Sequence, residues 1–192
     1  MATAGFLGPF VDLPAAPRTS ARAAALAAAA GDVLEVAMNG QQQTNWCWAA
    51  VAESVLKYLA PIDHTAALTQ EQLADQYLRP PGSNSPYPLD SLLDDLGHLE
   101  DPVGAPMPFK DIASEIRTRR RPICCKIKWA TGSDDHHYVL MIGCHGDTDA
   151  DGEVVILDPD GDSVVPQPGT YLYEEFANSY SGGSWSDSYT TT

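Results

Sequence analysis

Basic side chains are scarce in this chain. Lys and Arg number 11 against 26 Asp and Glu, a formal net charge of −15 over 192 residues. Such a surface repels phosphate backbones and anionic lipid, which argues against nucleic-acid and membrane-surface partners. Any apolar run of about eighteen residues, the length a membrane span needs, is also missing. Residues 1–17 lack the basic start and long apolar core of a secretory signal. A cytoplasmic location as encoded is therefore expected, with export by a non-classical route left open. Cysteine is limited to Cys47, Cys124, Cys125 and Cys144. If one of them is a nucleophile, three remain, an odd number for a closed disulfide framework. The chain reads as reduced, or at most singly bridged. The cysteine spacing is not that of a zinc site, so no cofactor or metal is expected. Repeats are absent as well, and residues 21–30, almost all Ala, are the one low-complexity stretch.

What the chain does have is a concentrated stretch from Gln41 to Leu59. From Cys47 onward it is small and apolar except for Glu53, Ser54 and Lys57, with neither Gly nor Pro. This pattern predicts a buried helix. Thr44 or Asn45 can cap it, which puts Cys47 in the first turn. Free N–H groups and the helix dipole favour a thiolate there. A nucleophilic cysteine also needs a base and a donor for the oxyanion that forms on attack at a carbonyl. Gln41 lies a short turn upstream, where its amide can reach the thiol, and Gln42 or Gln43 can substitute if the turn differs. Free cysteines are commonly inert core residues, and Cys47 on its own fits that description too.

The second half of the chain changes period. Residues 123–129, 137–143 and 153–158 predict strands, 163–167 a fourth and 185–191 a terminal one. Five histidines are present: His64, His98, His136, His137 and His145. His136 and His137 stand at the mouth of an apolar strand and, by alternation, face opposite ways. The following strand ends in Leu157-Asp158-Pro159. Hairpin pairing can bring Asp158 beside His137, where a carboxylate can hold the imidazole tautomer.

Gln41, five residues, then Cys47-Trp48-Ala49 at the head of a buried helix resembles the papain-like cysteine peptidases. The string Asn45-Trp46-Cys47-Trp48-Ala49-Ala50 is closer to a bacterial branch of that group. That branch includes a plant-pathogen effector protease and is related to peptidases that trim bacteriocin leaders. Thr44-Asn45-Trp46 stands where the lysosomal-type members carry Cys-Gly-Ser. The resemblance implies that the catalytic His opens a strand of the form His-x-Val-x-x-x-Gly. His137, Val139 and Gly143 fit that form, and His136 is off by one. It implies an α+β papain-like fold, with a helical lobe carrying the nucleophile against an antiparallel sheet lobe carrying the base. It also implies a protein or peptide substrate and the site Gln41, Cys47, His137 and Asp158, the last in a role that papain gives to Asn. Two other expectations stand beside hydrolysis. The same constellation runs acyl transfer, transglutamination or deamidation, and the fold can serve as a non-catalytic binding module. The resemblance covers residues 39–192.

The organisation expected is an Ala/Pro-rich extension over residues 1–36, with a short helix in 20–30, and a catalytic domain over 37–192. Residues 33–38 predict a short strand. Pro61 predicts the end of the first helix. Thr69 with Gln72 forms a capping box that opens a second, with Leu68 and Leu73 as its staple. Helices are also expected at 89–96, 109–120 and within 171–180, and a proline-rich loop at 102–108. Arg117, Arg119, Arg120 and Arg121 form either an anion patch or a solvated helix end. Trp46 and Trp48 are expected to wall the cleft or anchor the helix. One motif competes for Asp158. Asp147, Asp149, Asp151, Gly152 and Asp158 match the spacing of a calcium loop, although the closing residue is Asp and strands flank it. The alternative is a polar hairpin turn.

Overall fold

The computed structural model describes residues 32–130, 136–160 and 164–192. The helix expected in 20–30 lies outside them. Helix α1 (Cys47–Asp63) is followed by α2 (Gln70–Tyr77) and α3 (Leu89–Asp95), then strand β1 (Leu99–Val103). A short helix α4 (Phe109–Ala113) runs into a π-helical segment, Ser114–Arg119. Strands β2 (Ile123–Trp129), β3 (His136–His145), β4 (Glu153–Leu157) and β5 (Gly169–Leu172) follow. Helix α5 (Tyr173–Ser179), a 3-10 turn at Tyr180–Gly182 and strand β6 (Gly183–Thr191) close the chain. The six strands form one antiparallel sheet in the order β1-β6-β2-β3-β4-β5. The class is α+β, as expected.

Helix α1 is apolar nearly all round because it lies in the middle of the core. Trp48, Ala49, Ala50, Val51, Ala52 and Val55 are fully buried. It packs against β3, which is buried along all but its two end residues. It does not stop at Pro61 but runs two residues further, to be ended by His64 in the left-handed conformation. Proline within the last turn removes one N–H without breaking the helix start, and the His64 N–H closes the end on Ala60. The expected caps are also different. Trp46 holds the cap position with no side-chain bond, because Thr44 and Asn45 are drawn to Asn84. The capping box of Thr69 and Gln72 on α2 forms as expected.

Strand β1 occupies part of the stretch expected to be loop. Pro102 is compatible with it because β1 is an edge strand that pairs only with β6. Residues 164–167 are irregular, and the strand expected there is β5, displaced toward the C-terminus. Residues 33–38 form a single bridge, Val33 to Gly143, and no longer strand. Leu34 is nonetheless core, and its N–H donates to Ile142 C=O at 2.7 Å. Gly143 makes this docking possible: a Cβ there would lie 2.8 Å from the Val33 side chain. Arg117, Arg119 and Arg121, after α4, pair with carboxylates within the fold. Arg119 and Arg121 each lie 2.8 Å from Glu100, and Arg117 pairs with Asp32 at 3.3 Å. Among the described residues no helix is long and apolar enough to cross a membrane.

Candidate active site

Cys47 is the first residue of α1, held by the indoles on either side of it. Trp46 Nε1 donates to Ser83 C=O at 2.9 Å and Trp48 Nε1 to Ser85 C=O at 3.1 Å. The two tryptophans anchor the helix start to the 83–85 loop. All four cysteines are free thiols, so no disulfide is present. Cys124, Cys125 and Cys144 are buried, and burial pushes all three thiols up, Cys144 to about 11.

His137 enters β3 at the point where that strand crosses α1. Its side chain stands close enough to Cys47 for the sulfur to act on the ring through hydrogen bonding and charge. Its Nε2 lies 2.7 Å from Asp158 Oδ1, which leaves Nδ1 for the thiol. Asp158 gets there because Leu140 pairs with Leu157, so the carboxylate emerges one step beyond the β3–β4 ladder. Asp158 Oδ1 also accepts from Asp160 N–H at 2.9 Å, and Oδ2 accepts from Tyr180 Oη at 2.6 Å. His137 and Cys47 are 6 % and 7 % exposed. Burial is the largest influence on His137 and favours the neutral ring. Hydrogen bonds to Asp158 and Cys47, and then the charges of both, together outweigh it, and the pKa rises to about 10. Burial also pushes Asp158 up, but the bond and charge of His137 and the Tyr180 and Asp160 donors hold it below the usual carboxylate range. The arrangement supports an imidazolium whose ring is held fixed beside Cys47.

Gln41 is placed differently from the other three. Its backbone N–H donates to Pro159 C=O at 2.9 Å, so its loop runs beside the Asp158 turn. Its Nε2 donates to Thr44 C=O at 3.0 Å and to Asp160 Oδ1 at 3.2 Å, while Oε1 is buried without a partner. The structure thus brings Cys47, His137 and Asp158 together and sets Gln41 against the turn that carries Asp158.

Two members of the site carry no signal in the sequence. Trp129, at the end of β2, stacks on the His137 ring with centroids 5.9 Å apart and planes at 19°. Tyr180 comes from the turn after α5, and burial followed by the Asp158 charge holds its hydroxyl protonated, as a donor. Neither sits in a motif; both arrive through the pairing of β2 and β6 and the packing of α5. His98 is buried beside Thr192 and Asp63, away from this cluster.

The carboxylates that match the calcium-loop spacing over residues 147–158 are turned to other partners. Asp149 Oδ1 accepts from Phe109 N–H at 3.0 Å, capping α4. Asp151 accepts from the N–H and hydroxyl of Thr148. Asp147 faces Arg117 at 3.7 Å, and Asp158 is turned to His137. Gly152 is where it is because a Cβ would strike the Phe109 ring at 2.5 Å. Each carboxylate of the pattern has a different destination. Among the described residues no group of His, Cys, Asp or Glu is arranged to hold a metal.

Comparison with known proteins bears on the same stretch. A family model described as "Papain-like cysteine protease AvrRpt2" matches residues 31–167, well over half of the chain. That span contains Gln41, Cys47, His137 and Asp158. No curated protein matches the sequence.

Proposed function

As the chain belongs to the papain-like cysteine protease family, we propose that it hydrolyses peptide bonds with Cys47 as nucleophile, His137 as acid and base, and Asp158 as orienter. The observation that carries this reading is the buried His137 ring, bonded to Asp158 at 2.7 Å on one side and acted on by Cys47 at the head of α1 on the other. The thiolate adds to the scissile carbonyl and the carbonyl oxygen takes the negative charge. His137 gives its proton to the leaving amine as the C–N bond breaks, leaving a thioester on Sγ. It then takes a proton from water, which attacks the thioester and releases the acid and the thiol. Asp158 stabilises the imidazolium and keeps Nδ1 aimed at Sγ. The Cys47 N–H, at the start of α1, and the Gln41 amide receive the oxyanion. For Gln41 this requires that Nε2 exchange the Asp160 carboxylate for the substrate oxygen.

The test is to incubate the wild type and Cys47→Ala with proteome-derived peptides in water enriched in oxygen-18. New C-termini carrying the heavy oxygen, seen only with the wild type, are the expected result. Transfer of the acyl group to added amines in place of water would replace hydrolysis by acyl transfer. No product of either kind, together with no reaction of Cys47 with a thiol-directed epoxide, would leave a binding module.

A further inference from the structure

Gln70 is polar, completely buried and outside the site described so far. It is the first residue of α2, where the Thr69–Gln72 capping box fixes its backbone. Its amide has three partners. Oε1 accepts from Gln42 N–H at 3.0 Å. Nε2 donates to Gly40 C=O at 3.0 Å and to Glu53 Oε2 at 3.2 Å. The first two partners are the backbone on either side of Gln41. The third belongs to α1, the helix that starts with Cys47. Glu53 is itself buried, and Lys57 holds its other oxygen at 2.7 Å. One side chain thus ties both flanks of Gln41 to the helix of the nucleophile.

The loop's next anchor is Asn84, which holds Thr44 and Asn45 beyond Gln42. Gln42, Gln43, Thr44 and Asn45 are all exposed, so no apolar side chain sets the loop's height above α1. On the far side, Gly40 and Gln41 N–H groups bond to Val164 and Pro159 carbonyls. We propose that Gln70 is a positioning residue for carbonyl chemistry at Cys47: by clamping Gly40 and Gln42 to Glu53, it sets where the Gln41 amide stands relative to the thiol. This rests on the reading of Gln41 as an oxyanion donor.

Two reactions of Cys47 separate this role from a merely structural one. Alkylation by iodoacetamide forms an S–C bond with loss of iodide and no oxyanion. Acylation by p-nitrophenyl acetate passes through a tetrahedral oxyanion, leaves acetyl on Sγ and releases p-nitrophenolate. Gln70→Met keeps the length and bulk of the side chain but neither donates nor accepts comparably. It is expected to slow acylation about 10- to 100-fold while alkylation stays within about twofold. Gln41→Ala is expected to do the same, and the double variant to be no slower than Gln41→Ala alone. Wild-type acylation in Gln70→Met, a parallel loss of both reactions, or losses that multiply in the double variant would overturn the proposal. If Gln70→Met does not fold, amide hydrogen exchange of the wild type decides. A Gln42 N–H protected like the amides of α1 supports the clamp, and one exchanging as fast as Gln43 overturns it. The ester needs no peptide specificity. A wild type that acylates normally yet cleaves no peptide refutes the peptidase reading and leaves the clamp testable.

Discussion

Asp158 and the aspartates of the β3–β4 hairpin sit only a few residues apart and have opposite fates. Asp158 is three-tenths exposed and receives three donors, from His137, Tyr180 and the Asp160 backbone. Asp147, Asp149 and Asp151 are exposed and serve their surroundings: an arginine, a helix start and their own turn. Residue type and spacing made all four look like one ligand set. The fold divides them by which donors it brings within reach. An imidazole and a phenol converge where β4 leaves the sheet, whereas the hairpin aspartates meet backbone N–H groups, a threonine and an arginine.

Removing the first carboxylate should break that contrast most sharply. Asp158→Ala is expected to lower kcat/KM about 10²- to 10⁴-fold. Asp158→Asn should retain much more, because its Oδ1 still accepts from His137 and from Asp160 N–H, and the Tyr180 hydroxyl can turn to accept from the new amide. Steady-state kinetics on a mapped substrate checks both, and equal losses would mean that charge and not orientation is what Asp158 supplies.

The same pair predicts how stability follows pH. His137 is raised to about 10, so its contribution is whole below the unfolded imidazole value near 6.5 and is lost as pH climbs through about 10. Asp158 is lowered, so its contribution is whole above about 3.8 and is lost as pH falls below that. Both are fully present from about pH 4 to 6.5. Urea unfolding at pH 5.5 and 9.5 should differ by on the order of a few kcal/mol, and by less in Cys47→Ala, where one partner of the imidazolium is gone.

Tyr180→Phe leaves Oδ2 of Asp158 without its donor. It should cost about 1–3 kcal/mol in urea unfolding at pH 6 while hydrolysis falls by less than about tenfold. A loss of activity as large as that of Asp158→Ala would make Tyr180 part of the orienting unit.

On the hairpin side the effects should be small. Asp149→Ala removes the acceptor at the start of α4 and should cost about 1 kcal/mol, with kcat/KM unchanged. Chelator or added calcium should move neither the Tm nor the rate. A calcium-dependent rise in Tm that Asp149→Ala abolishes would end the contrast between the two regions.

Much of this was legible in the sequence, and for identifiable reasons. The α+β class, the buried helix behind Cys47 and the capping box at Thr69 follow from local periodicity and chain chemistry. His137 was legible over His136 through the resemblance, and Asp158 because a short hairpin relates it to that strand. Trp129, Tyr180 and Gln70 were not. Tyr180 meets Asp158 across 22 positions and Gln70 meets Gly40 across 30, and nothing local marks a tyrosine or a glutamine as the partner of a distant turn. The caps were misassigned because Asn84, 40 positions from Thr44, competes for Thr44 and Asn45. The calcium spacing stood beside the hairpin reading because a glycine demanded by the Phe109 ring looks the same, in one dimension, as one demanded by a tight turn.

The stack of Trp129 on His137 gives the molecule an optical handle on its own proton. An indole face within about 6 Å of a cation interacts with its charge, and a protonated imidazole quenches indole emission by taking an electron from the excited state. Trp46, Trp48 and Trp185 are buried with their indole N–H groups on backbone carbonyls. Fluorescence that brightens as the ring deprotonates, and shifts when Cys47 is acylated, would then follow the charge state of the base in real time, with no label and no substrate chromophore.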